Sequence, residues 1–188
     1  MKYDPNKHHK RSIRLPGYDY RQSGAYFVTI CAYQRQCIFG EVVDGQMVLN
    51  QYGAIVADTY RWLCQHYSYL DIDKWIVMPN HFHAIMVITD QPCRGGSRTA
   101  PTANEQYNAD AIDKKRKPLG RLIGAFKTVS TKKINILRDS PGTPLWQRNY
   151  YEHIIRNRDA MDKIRQYIIH NPLSWQIDQL HPDNPSKW

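Results

Sequence analysis

The chain has 188 residues, the size of one ordinary domain and too short for two comfortable ones. Lys plus Arg outnumber Asp plus Glu by 26 to 17, and the resulting formal charge of +9 points to a polyanionic partner without identifying a reaction. The scattered Cys31, Cys37, Cys64 and Cys93 form no Cys-x-x-Cys pair and so suggest neither a zinc ribbon nor a disulfide framework, and no stretch approaches membrane-spanning length.

Residues 1–24 read as a basic N-terminal arm, with Lys7, Lys10, Arg11 and Arg14 among too few apolar side chains to fold alone. No leader-like apolar segment stands there, so a cytoplasmic protein without a membrane partner is expected. The aromatic and β-branched run Tyr26-Phe27-Val28-Thr29-Ile30-Cys31 predicts a strand buried on both faces. Next, Asp44-Gly45 separates two β-prone stretches over Val42–Val48, the signal of a tight hairpin.

Asn50 can cap a helix over about Gln51–Tyr67, whose Tyr52, Ile55, Val56, Tyr60 and Leu63 fall on one face. Strands follow over Tyr69–Met78 and His81–Thr89, with Pro79-Asn80 as the turn between antiparallel neighbours. Residues 90–118 shift to Gly, Ser, Thr, Pro, Asn and charge and read as a flexible surface insertion, whose basic end Lys114-Lys115-Arg116-Lys117 could touch phosphates.

A second helix spans about Leu119–Leu137, with Leu122, Ile123, Phe126, Val129 and Ile134 inward, Lys127, Lys132, Lys133 and Arg138 toward solvent, and Ser140-Pro141-Gly142 as its stop. A strand at Tyr150–Ile155 precedes a last helix capped by Asn157 and ended near Asn171-Pro172. This order of elements suits an α+β domain over 1–188, an antiparallel sheet with helices packed on one side around a ferredoxin-like core.

Two segments carry candidate chemistry. In Pro79-Asn80-His81-Phe82-His83-Ala84, residues two apart on a strand share a face, so His81 and His83 project together while Phe82 enters the opposite layer. That is what two imidazole ligands of one divalent metal require, although the spacing alone also fits two ordinary hydrogen-bonded histidines. In Tyr167-Ile168-Ile169-His170-Asn171-Pro172, four residues at 3.6 per turn leave Tyr167 and Asn171 about 40° apart around the helix. They lie at the margin of the apolar stripe Met161, Ile164 and Ile168, where a tyrosine can serve a cleft or simply pack at the edge of the core.

Taken in order, these segments resemble a known family. Met78-Pro79-Asn80-His81-Phe82-His83 is similar to the metal motif of HUH endonucleases, and Tyr167-Ile168-x-x-Asn171-Pro172 to their helix-borne tyrosine. More narrowly the chain looks like the REP-associated tyrosine transposases, relatives of the single-tyrosine transposases of small insertion sequences. The likeness extends to Ser12–Tyr20, Ala25–Cys31, Ala125–Thr128 and Leu145–Arg156 and omits the insertion.

The resemblance implies an HUH nuclease fold and a metal-dependent nicking and strand-transfer enzyme acting on single-stranded DNA with palindromic hairpins. Tyr167 would be the nucleophile and form a 5′-phosphotyrosine link. His81 and His83, with Asn171 directly or through water, would hold Mg2+ or Mn2+ against the phosphate. Arg11 and Arg14 in the arm, Lys127, Arg148 and Arg156 become candidate DNA contacts, Lys127 equally a solvated lysine. Trp146 reads as core in preference to base stacking, and Tyr150 and Tyr151 rank below Tyr167 as nucleophiles. The implied assembly is a monomer or homodimer on nucleoid DNA. The competing readings are a non-catalytic nucleic-acid-binding module of ferredoxin-like fold and a phosphodiesterase whose nucleophile is water.

Overall fold

The structure is a computed structural model that describes residues 15–90 and 116–184. Alternation sets its central strands. In β1 (Gly24–Cys31), Tyr26, Val28 and Ile30 turn to one side of the sheet and Phe27 and Thr29 to the other, and all are buried, as the run of apolar and β-branched residues predicts. The strand pairs antiparallel with β5 (His81–Ile88) and with β6 (Tyr151–Ile155). β5 also pairs with β4 (Leu70–Met78) across a turn at Pro79-Asn80.

The resulting order is β4-β5-β1-β6, and the ribbon of β2 (Gly40–Val43) and β3 (Gln46–Leu49) stands apart from it. Asp44 and Gly45 both adopt positive φ, 49° and 73°, the backbone of the tight turn that Asp-Gly favours. With that ribbon set aside, the chain runs strand, helix, strand, strand, helix, strand with β1 and β5 central, which is the ferredoxin-like arrangement.

Helix α1 (Gln51–His66) starts where the Asn50 side chain accepts from the Tyr52 and Gly53 amides. Helix α2 spans Leu119–Leu137. Both pack on the face that holds Tyr26, Val28, Phe82, Ala84 and Met86, the arrangement read from the sequence. At the centre of this layer the Phe82 ring lies 5.0 Å from both the Tyr60 and Phe126 rings, and Trp146 closes it by donating its indole N–H to Ser130 Oγ at 2.9 Å. Trp146 is therefore core, as expected.

Helix α3 (Arg158–His170), capped by the Asn157 side chain on the Ala160 amide, lies across the opposite face. Its stripe of Met161, Ile164 and Ile168 packs on Phe27 and Ile85. A β-bulge then fastens it. Between Ile72 and Trp75, β4 spends three steps where β5 spends two, so both Ile72 and Trp75 face the core. Asp73, within the bulge, receives Arg165 Nε at 2.9 Å and Nη2 at 2.5 Å, and Arg165 also donates to Asp162.

Two expected loose segments are tied down where they are described. Tyr18 and Tyr20, read as part of the arm, are half-buried against the core beside Tyr26, because their rings have an aromatic face to cover. Arg116, read as a phosphate contact at the end of the insertion, is buried and donates to Asp90 at 2.9 Å, joining the two flanks of that segment. Residues 1–14, with Arg11 and Arg14, and residues 91–115, with Lys114 and Lys115, lie outside the described residues. Among the described residues no helix is long and apolar enough to cross a membrane.

Phe82→Ala is expected to lower the stability of the fold by about 3–5 kcal/mol, because the cavity opens between Tyr60 and Phe126 at the middle of the layer. Urea unfolding should show an earlier midpoint at unchanged slope; a loss below ~1 kcal/mol would mean that the layer closes over the gap.

Candidate metal and tyrosine site

The alternation that buries Phe82 in the helical layer turns His81 and His83 to the face covered by α3. Both imidazoles are buried, 0% and 1% exposed, so both must find polar partners. His81 Nδ1 lies 2.8 Å from Asn80 Oδ1. The Asn80 amide is oriented by its nitrogen, which donates to the Leu180 carbonyl at 2.8 Å and the Arg35 carbonyl at 3.2 Å. Its oxygen must therefore accept from His81 Nδ1–H, and the Nε2 lone pair points into the site.

That Nε2 atom has no hydrogen-bond partner. His83 Nδ1 lies 2.8 Å from Thr29 Oγ1, and its Nε2 lies 3.3 Å from the Tyr167 hydroxyl. Burial pushes His81 down to about 4 and His83 well below its ordinary value, the latter also through His81. Both rings are thus neutral at pH 7, the state in which imidazole binds a cation.

The last turn of α3 brings Tyr167 and Asn171 to the same place. Asn171 is 2% exposed, its Nδ2 donates to Asp178 Oδ2 at 2.9 Å, and its Oδ1 has no hydrogen-bond partner. Asp178 follows a 3-10 turn at Pro172–Ile177, and its other oxygen accepts from the Leu180 amide at 2.6 Å. The ligand atoms of His81, His83 and Asp178 all lie within 4.8 Å of one another.

Two neutral imidazoles, a carboxylate and an amide oxygen can hold one divalent cation, and the orphaned His81 Nε2 and Asn171 Oδ1 are buried polar atoms that such an ion would satisfy. Oxygen donors suit Mg2+ or Mn2+, while the imidazoles also accept zinc, nickel or iron.

Tyr167 is 42% exposed, with its ring edge-on to Phe27 at 6.0 Å and to His83 at 5.2 Å. Burial of the hydroxyl and the Asp178 carboxylate push the phenol up to about 12, against an opposing hydrogen bond from Asn171. The phenol is protonated at neutral pH, and its oxygen sits beside the His83 imidazole.

The four residues singled out by motif, His81, His83, Tyr167 and Asn171, are thus brought together. Lys127, Arg148 and Arg156 do not join them. Lys127 donates to the carbonyls of Gln147, Arg148 and Asn149 at 2.8, 3.3 and 3.0 Å and lies over the Tyr150 ring; burial lowers its ammonium to about 8. It fastens α2 to the segment entering β6. Arg148 and Arg156 are exposed at the surface. Tyr151 shares the sheet face of Phe27, whereas Tyr150 packs against the helical layer.

Sequence reasoning missed Asp178, a lone carboxylate beyond the last predicted helix, and the orienting roles of Asn80 and Thr29. Nothing periodic marks Asp178; Asn80, adjoining the histidine motif, carried the only available signal.

No family model matches the chain. An uncharacterized protein of Haemophilus influenzae is 37% identical over 184 residues, covering 97% of this chain and 98% of that protein. A second Haemophilus influenzae protein, provisionally named a REP-associated tyrosine transposase, is 22% identical over 174 residues, covering 88% and 84%. Among solved structures, a REP-associated tyrosine transposase bound to a REP hairpin matches with a TM-score of 0.55 at 16% identity, over 88% of this chain and 74% of that one, which establishes a shared fold.

Asn80→Ala is expected to weaken Mn2+ binding about 10–100-fold in titration calorimetry, because His81 loses the acceptor that selects its tautomer. Equal affinity in a variant that remains folded by circular dichroism would refute that orienting role.

Proposed function

This chain belongs to one family with the 37%-identical Haemophilus influenzae protein and resembles the REP-associated tyrosine transposases in sequence and fold, and from that premise we propose that it is a metal-dependent DNA transposase that nicks and rejoins single-stranded DNA at palindromic hairpins. The observation that carries the reading is the 3.3 Å approach of the Tyr167 hydroxyl to His83 Nε2, beside the orphaned ligand atoms of His81 and Asn171. A helical tyrosine that only packed at the core edge would have no reason to meet a buried set of cation ligands.

His81, His83, Asp178 and Asn171 would hold a divalent cation, which would supply Lewis-acid polarisation of the phosphate. The protein supplies the rest. Tyr167 forms a bond from its phenolic oxygen to phosphorus as the bond from phosphorus to the 3′ oxygen breaks. The phenolic proton ends on the released 3′ hydroxyl, and the 5′ phosphate stays on the tyrosine. Reversal of the same step by a 3′ hydroxyl rejoins the strand without an external energy source.

Phe27 and His83 hold the phenol by its ring, and α3 holds the helix position through the Asp73–Arg165 pair. Asn80 and Thr29 orient the two imidazoles. The exposed Arg148 and Arg156, together with the net charge of +9, supply cations for the DNA backbone.

The test uses labelled single-stranded DNA carrying a hairpin and its flanks, with Mg2+ or Mn2+, resolved on a denaturing gel. The wild type should form a protein–DNA adduct whose tryptic peptide maps to Tyr167, and Tyr167→Phe should bind the DNA without forming it. His81→Ala should lose the metal-dependent adduct as well. Cleavage by Tyr167→Phe would instead favour water as nucleophile, and binding without cleavage across several hairpins would favour a non-catalytic module.

Asp73→Asn should slow adduct formation while DNA binding is retained, because α3 is no longer held by a charged pair; a ~1 Å displacement of the phenol costs on the order of 100-fold. Partial recovery of the rate in the charge-swapped pair Asp73→Arg with Arg165→Asp would support this, and an unaltered rate in Asp73→Asn would refute it.

A further inference from the structure

A cavity of about 500 Å³ opens between the last two turns of α3 and the 3-10 turn at Pro172–Ile177. It falls in the range that encloses small organic ligands, roughly 300–1,000 Å³. Tyr167, Asn171 and Asp178 line it, so it is continuous with the tyrosine and the cation ligands.

Its other walls are suited to a nucleoside. On the helical wall Gln166 precedes Tyr167 and faces the cavity, and on the opposite wall stands Gln179. Each amide carries both donors and an acceptor, the combination that matches the mixed edge of a nucleobase. Ile177, 82% exposed, offers the same cavity an apolar surface on which a base face can lie.

The charge pattern agrees. Lys163, one turn before Tyr167 on the same helix face, adds a cation at the cavity wall. Asp178 is the sole carboxylate in the lining, and its oxygens accept from Asn171 Nδ2 and the Leu180 amide, which turns them toward the cation ligands.

We propose that this cavity is a nucleoside pocket that receives the base of the nucleotide whose 5′ phosphate is transferred to Tyr167. The proposal rests on the cleavage reading given above and adds the side of the scissile bond that the protein reads. In-line displacement places the attacking phenol and the leaving 3′ oxygen on opposite sides of phosphorus. The departing nucleotide therefore lies away from Tyr167, whereas the retained nucleotide, attached through an equatorial 5′ oxygen, ends covalently tethered to the tyrosine and so within reach of its helix. That helix forms one wall of the cavity.

The cleavage position is first read from the wild-type adduct. Binding of Tyr167→Phe protein with Mn2+ is then followed by fluorescence anisotropy on the same hairpin oligonucleotide, intact or with a tetrahydrofuran abasic residue on either side of the scissile phosphate. An abasic residue on the retained side should weaken binding about tenfold, and one on the departing side should leave it nearly unchanged.

Adding Gln166→Ala and Gln179→Ala should weaken binding of intact DNA by a similar factor and remove the sensitivity to the abasic residue. Equal binding of intact DNA and the retained-side abasic DNA overturns the pocket, as does sensitivity confined to the departing side or surviving in the glutamine variants. Any of these results beside a normal wild-type adduct removes the pocket alone. Absence of an adduct on every hairpin removes the cleavage reading, and the pocket assignment falls with it.

Discussion

Strand alternation at β5 is the constraint on which the rest of this molecule depends. Phe82 must enter the aromatic layer between the sheet and helices α1 and α2, and a period of two then forces His81 and His83 together onto the opposite face. Two imidazoles on a buried surface cannot be left to water. Their polar demands recruit Asn80 and Thr29 on one side and the end of α3 on the other. The fold and the site are thus two consequences of one register.

The second face is closed lightly, and this has a functional logic. Only Ile168 of α3 is fully buried, with Met161 and Ile164 partly so, and the Asp73–Arg165 pair supplements that small apolar anchor. A helix packed as densely as α1 would bury the tyrosine ring. Here the phenol remains 42% exposed while its hydroxyl still reaches His83. Exposure of the phenol and a short distance to the imidazole are obtained together because a bulge in β4 presents a carboxylate to the helix without disturbing the core pattern on its other side.

The C-terminal turn completes the polar enclosure. Asn80 donates to the Leu180 carbonyl, Asp178 accepts from the Leu180 amide, and Trp175 lies 5.9 Å from His81, so a segment beyond the last helix acts as a wall for a site centred on the sheet. This wall also lines the cavity next to Tyr167. Tyr167, Asn171, Asp178 and the cavity beside them therefore share one short stretch of chain from Lys163 to Gln179.

What the sequence determined by itself was whatever rests on local geometry. The Asp44-Gly45 turn, the Asn50 and Asn157 caps, the span of α2 and the turn at Pro79-Asn80 follow from the φ preferences and side-chain oxygens of the residues present. The shared face of His81 and His83 and that of Tyr167 and Asn171 follow from the periods 2 and 3.6, and the family resemblance joined the two segments. Tertiary structure alone decided that α3 crosses the face opposite α1 and α2, that β4 carries its bulge at Asp73, that Lys127 is consumed by three carbonyls, and that Asp178 reaches His81 and His83. Each of these is a contact between residues far apart in the chain, set by which surfaces remain uncovered after the local elements have formed. A period read along one segment carries no information about its partner.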